Sequence, residues 1–92
     1  MGEVKVSIKL VDDSSAESKT LAETVPEGMT LEKLIEKKVA SVGWAGRNLV
    51  VKSAQVYDED FNQFTDITEP LDSLVLRNMQ RFEVHLGKIV SE

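Results

Sequence analysis

The segment from Met29 to Trp44 carries the signals of one complete amphipathic helix. Thr30 is a good N-cap. Met29 before it and Leu34 within it fit a hydrophobic staple. Leu31, Leu34, Ile35 and Val39 recur at helical spacing and form a single apolar stripe. Glu32 stands near the positive end of the helix dipole, and Lys37 and Lys38 near the negative end. Gly43 suits the left-handed position that follows a helix, and apolar Trp44 comes next. The spacing predicts a helix over 31–41. A helix with one apolar face has to bury that face against another layer.

The rest of the chain supplies strands for that layer. Val4, Val6, Ile8 and Leu10 alternate with Glu3, Lys5, Ser7 and Lys9, the period of a half-buried strand. Residues 12–17 are mostly polar and read as the turn of a hairpin. Lys19–Val25 resumes extended character, but Glu23 falls on the same parity as Leu21 and Val25, which predicts a bulge or an edge position. Pro26 closes that strand, because it has no N–H for a ladder. Asn48–Tyr57 reads as a third strand, 58–63 as an acidic loop and Phe64–Ile67 as a short fourth strand that sends Phe64 into the core. Residues 70–74 read as a tight turn or one 3₁₀ turn, and Phe82–Leu86 as a last strand with Arg81, Glu83 and His85 facing outward. Trp44 is expected to cover one end of the core, and residues 87–92 to fray. Strand, strand, helix, strand, short strand, strand makes an α+β domain. A mixed sheet of four to five strands packs on one helix, the β-grasp arrangement.

A length of 92 residues supports one domain, and 1–92 is read as a single one. The absence of cysteine excludes disulfide scaffolds, thiol catalysis, Fe–S clusters and zinc–thiolate sites. No apolar run approaches the ~18 residues of a membrane span, and the first residues lack the apolar stretch of a signal peptide. A reducing, cytoplasmic setting is the expectation. The net charge of −5 is uneven: residues 1–29 carry −3, residues 30–56 carry +3 and residues 57–92 carry −5. A partner would meet a basic patch within an acidic molecule. The overall charge opposes nucleic acid, and the basic third lacks interleaved aromatics.

At this point the residues resemble ubiquitin-like domains. Lys19-Thr20-Leu21 through Val25-Pro26-Glu27-Gly28-Met29-Thr30-Leu31-Glu32-Lys33-Leu34 is similar to the strand-to-helix passage of ubiquitin. Leu71-Asp72-Ser73-Leu74 through Phe82-Glu83-Val84-His85-Leu86 is similar to its turn and last strand. The resemblance covers most of residues 3–86 and implies the ubiquitin-like fold. Modifiers of that kind end in Gly-Gly, where this chain reads Gly87-Lys88-Ile89-Val90-Ser91-Glu92, so conjugation through that end is not expected. Charged Arg81, Glu83 and His85 replace the apolar patch that ubiquitin presents from its last strand. Gly28-Met29-Thr30-Leu31 is similar to Ras-binding and Ras-association domains. That likeness implies pairing of the second strand with the edge strand of a small GTPase, with basic residues meeting an acidic partner. Lys19 on the strand and Lys33, Lys37 and Lys38 on the helix stand where such contacts would fall.

Asp58, Asp60, Asn62, Asp66 and Glu69 have the spacing of EF-hand ligands. Gln63 stands where the loop needs glycine and the flanks are strand-like, so these residues read as a solvated acidic loop and no metal site is assigned. His85 is the only histidine and lies between charged residues on an outward face, with no nucleophile beside it in sequence. No catalytic constellation and no cofactor site is found. Phe61, an aromatic in an acidic loop, suits a partner anchor. The expected function is a non-catalytic adaptor domain, monomeric in isolation. It would bind another protein through Lys19, Lys33, Lys37, Lys38 and Phe61, a small GTPase being the concrete candidate. The alternative is a structural or regulatory accessory subunit of a multicomponent complex.

Overall fold

The computed structural model describes residues 2–88. Its elements are β1 (Glu3–Asp12), β2 (Glu17–Pro26), α1 (Leu31–Ser41), a 3₁₀ turn at Ala45–Arg47, β3 (Leu49–Asp58), β4 (Gln63–Asp66) and β5 (Gln80–Lys88). The strands form one mixed sheet in the order β2-β1-β5-β3-β4. β1 runs parallel to β5, and every other neighbouring pair is antiparallel. The sheet and the single helix realise the α+β layering expected from the periodicities.

The core lies between one face of the sheet and α1. Val4, Val6, Ile8 and Leu10 of β1 and Phe82, Val84 and Leu86 of β5 supply its floor. Leu31, Leu34 and Ile35 press on it from the helix, and Trp44 closes one end as expected. Thr30 caps α1 by accepting from the Lys33 amide at 3.4 Å. The next free amides at that end are taken by the 71–74 turn: Leu31 N–H donates to the Leu74 carbonyl at 2.9 Å and Glu32 N–H to that of Leu71 at 3.2 Å. Gly43, with φ of 82°, then turns the chain so that Trp44 N–H reaches the Val39 carbonyl at 2.9 Å.

Three local expectations are corrected, and a fourth, at Glu23, is met by one of its two alternatives. Asp12 is not a turn residue but the last residue of β1, and it is fully buried because it continues the inward parity of Leu10. Gly87 and Lys88 do not fray: they pair with Val50 and Leu49, while the rest of the expected tail lies outside the described residues. Glu23 sits in an unbroken β1–β2 register, so no bulge explains its parity; β2 is an edge strand, which was the other expectation. Phe64 stays out of the core. Thr65 and Ile67 take the inward parity of the short strand, leaving Phe64 at 38% exposure, packed edge-on against Tyr57 with ring centroids 5.3 Å apart.

Candidate functional site

The helix has two differently charged flanks. Residues four apart share a row on a helix surface, so Lys33 and Lys37 form one row and Glu32 and Glu36 the next. Lys37 reaches Glu23 of β2 at 3.3 Å, so the lysine row faces the β2 side. Glu32 and Glu36 border a groove with Leu49 and Val51, so the glutamate row faces β3. Lys37 and Lys38 thus meet the β2 side of α1, while Arg47 and Lys52, the other basic residues of 30–56 besides Lys33, lie on the 3₁₀ turn and on β3.

Glu23 faces the helix from the rim of the sheet, and its carboxylate pairs with both Lys38 and Lys37. The Lys38 ammonium beside it, then Lys37, holds Glu23 below the usual carboxylate range. Lys38 corrects the sequence expectation twice. It is the fourth buried residue of α1, in place of half-buried Val39. Its stem packs inward while its charged head meets Glu23, so it does not stand as an exposed contact. Lys37 is half-exposed but shares the same carboxylate. Lys19, on β2 opposite Leu10, and Lys33 are exposed and make no ion pair among the described residues. The β2 side of the helix is therefore less cationic than the sequence implied.

Phe61 belongs to another region. It is 72% exposed at the tip between β3 and β4, at the opposite edge of the sheet from β2. Asp58 Oδ1 accepts from the amides of Asp60 at 2.9 Å and Phe61 at 3.4 Å, and Asn62 takes a left-handed φ of 57°. Those contacts hold the loop in a turn that projects Phe61 outward. The candidate metal oxygens are spread along this hairpin, with Asp66 accepting from Gln55 at 2.9 Å. Among the described residues no three metal-capable side chains converge.

One cluster escaped the sequence. Arg47 Nη1 donates to Asp12 Oδ2 at 2.9 Å and to Glu17 Oε1 at 2.7 Å, and its guanidinium lies over the Trp44 ring at 5.0 Å. Asp12 also accepts from the Ser14 amide and hydroxyl. The Ser14 hydroxyl, with help from Arg47 and against the effect of burial, lowers the Asp12 carboxyl to about 2. This cluster fastens the β1–β2 hairpin to the 3₁₀ turn after the helix. The inward parity of residue 12 was the signal that could have found it.

His85 faces outward between Glu83 at 2.8 Å and Asp13 at 3.2 Å. Those carboxylates, Glu83 first, raise its pKa from 6.5. A ring-proton NMR titration is therefore expected to give a midpoint above 6.5. Charged His85 adds stability that is fully present below the unfolded-chain value and is lost as pH rises through the folded one. His85→Ala should remove that slope; a midpoint at or under 6.5 would count against the pairing. The hydrogen-bond partners of the imidazole among the described residues are these two carboxylates, and Ser53 of β3 stands opposite it in the sheet register. Among the described residues no helix is long and apolar enough to cross a membrane.

No family model matches this chain, and no curated protein matches it. Among solved structures, the solution structure of a ubiquitin-like domain from tubulin-binding cofactor B superposes with a TM-score of 0.51 at 18% sequence identity. The match covers 96% of this chain and 93% of that one. The chain has the ubiquitin-like fold.

Proposed function

We propose that this ubiquitin-like domain is a non-catalytic protein-binding module, whose contact surface is the outer edge of β2 with the lysine flank of α1. The observation that carries it is the position of β2. It pairs with β1 along all ten residues and stands at the end of the sheet, so its other edge is open among the described residues. An extended segment can add to such an edge through main-chain hydrogen bonds, with side chains supplying selectivity. Exposed Lys19 and Lys33, and half-exposed Lys37, favour an acidic partner edge. A small GTPase is the concrete candidate, on the resemblance of Gly28-Met29-Thr30-Leu31 to Ras-binding domains. Its cytoplasmic placement belongs to the same proposal.

The test is titration of the domain with GTP-loaded and GDP-loaded small GTPases, followed by amide shift mapping. The expected result is tighter binding of the GTP-loaded form, with shifts along β2. A Lys19→Glu/Lys33→Glu variant should then bind roughly tenfold more weakly, as for reversed charges at an interface rim. Equal binding of both states, or none, disposes of the GTPase reading. The accessory-subunit reading draws instead on an apolar surface beside β3. It predicts a complex that survives purification at about nanomolar concentration.

A further inference from the structure

On the far side of α1 from the lysines, a groove of about 510 Å³ runs between the helix and β3. Its floor is aliphatic: Ile35 and Val39 from α1, Leu49 and Val51 from β3, and Leu71 from the turn that caps the helix. Ile35 is buried, but Val39, Leu49 and Leu71 are only partly covered and Val51 is 37% exposed. Four aliphatic side chains thus meet solvent side by side. A contiguous apolar surface of that kind on a small domain marks a contact site more often than scattered exposed residues do.

The rim says what would cover it. Glu32 and Glu36 line the helix side and Asp72 the turn side, with no lysine or arginine lining the groove. None of the three carboxylates makes an ion pair among the described residues. An aliphatic floor between unpaired carboxylates is complementary to aliphatic side chains flanked by ammonium or guanidinium groups. It is unsuited to phosphate, an anionic lipid surface or an acidic peptide, each of which would meet like charge.

We infer that the α1–β3 groove is a docking site for a cationic amphipathic segment of another protein, its aliphatic side chains on the floor and its Lys or Arg residues on Glu32, Glu36 and Asp72. This site shares no residue with the β2 surface. Each can fail without the other, and a domain holding both would bridge an acidic partner and a basic one.

The probe is a fluorescein-labelled amphipathic peptide of about fourteen residues built only from leucine and lysine. Its counterpart has glutamate for every lysine. Binding is read by anisotropy and mapped by amide shifts on the complete chain. The leucine–lysine peptide is expected to shift amides of Ile35, Val39, Leu49 and Val51 and to weaken with added salt. A Glu36→Lys/Asp72→Lys pair should weaken it about tenfold. The molecule is acidic overall, so an Asp58→Lys/Asp60→Lys pair, with the same charge change on the far loop, serves as the control. Equal loss in the two pairs, or equal binding of the glutamate peptide, overturns the proposal. So do groove shifts that appear with rising protein concentration alone, which would assign the groove to a second copy. Val51→Asp provides an independent block of the floor, and circular dichroism checks that each variant is folded.

Discussion

Phe82→Ala is expected to lower the melting temperature by about 15 °C or more. Phe82 is 2% exposed and sits on β5, the strand that joins both halves of the sheet. It is opposite Ile8 on one side and Val56 on the other. Truncating a buried phenylalanine costs about 3–5 kcal/mol, from lost transfer energy and the cavity left behind. A domain of this size is stable by roughly 5–14 kcal/mol, and each kcal/mol moves its melting point by about 4–8 °C. The other phenylalanines provide internal controls of identical chemistry. Phe64→Ala removes an edge-on aromatic pair and should cost about 1 kcal/mol. Phe61→Ala, at an exposed tip, should stay within about 0.5 kcal/mol. The fluorescence of Trp44, the only tryptophan and itself buried, reports all three transitions. If the three variants melt together, the assignment of Phe82 alone to the core is wrong.

Asp12 should govern the acid limb of stability. Its carboxylate gathers the Ser14 amide and hydroxyl and the Arg47 guanidinium. Those donors hold it ionised down to about pH 2, against a usual value near 3.8. The sign follows from that depression. The unfolded chain takes up a proton first as pH falls, so the contribution of Asp12 is fully present above the usual carboxylate range. It is lost progressively between about pH 4 and pH 2. Glu17, held down by Arg47, and Glu23, held down by Lys38, add slopes of the same sign. Asp12→Asn keeps the shape but leaves Arg47 with Glu17 as its remaining carboxylate partner. A fall in melting temperature on the order of 10 °C at neutral pH is expected, as for loss of a buried polar partner. Urea midpoints at neutral pH and at several points below pH 4 should show a flatter acid slope in the variant. Matching slopes would mean that the carboxylate does not titrate as its contacts dictate.

The same residues show why the candidate surface was only half legible. Lys37 meets β2 through Glu23, with Lys33 on the same helix row, and Lys19 lies on β2 opposite Leu10. Lys38 looked equally available, since a lysine beside a lysine reads as a solvated face. What removes it is Glu23, fifteen positions away in the chain. The apparent misfit of Glu23 on an inward parity and the burial of Lys38 are one fact seen from two elements. Phe61 was correctly expected to be exposed, but nothing local could tell that its loop lies at the sheet edge remote from β2.

The sequence by itself determined what depends on short-range backbone geometry. The helix bounds at Leu31 and Ser41, the Thr30 cap, the Gly43 turn and the alternation along β1 all follow from periods of 3.6 and 2 and from steric rules acting within a few residues. From those came the element order and the one-helix, one-sheet layering. Only the tertiary structure decided which charges cancel and which remain. Arg47 meets Asp12 across 35 positions and divides its charge between Asp12 and Glu17. The lysine flank of α1 is partly neutralised by a strand, while the glutamate flank opens on bare aliphatic side chains of β3. Charge pairing is set by distance in space, and local periodicity carries no information about which distant residues the sheet register brings together.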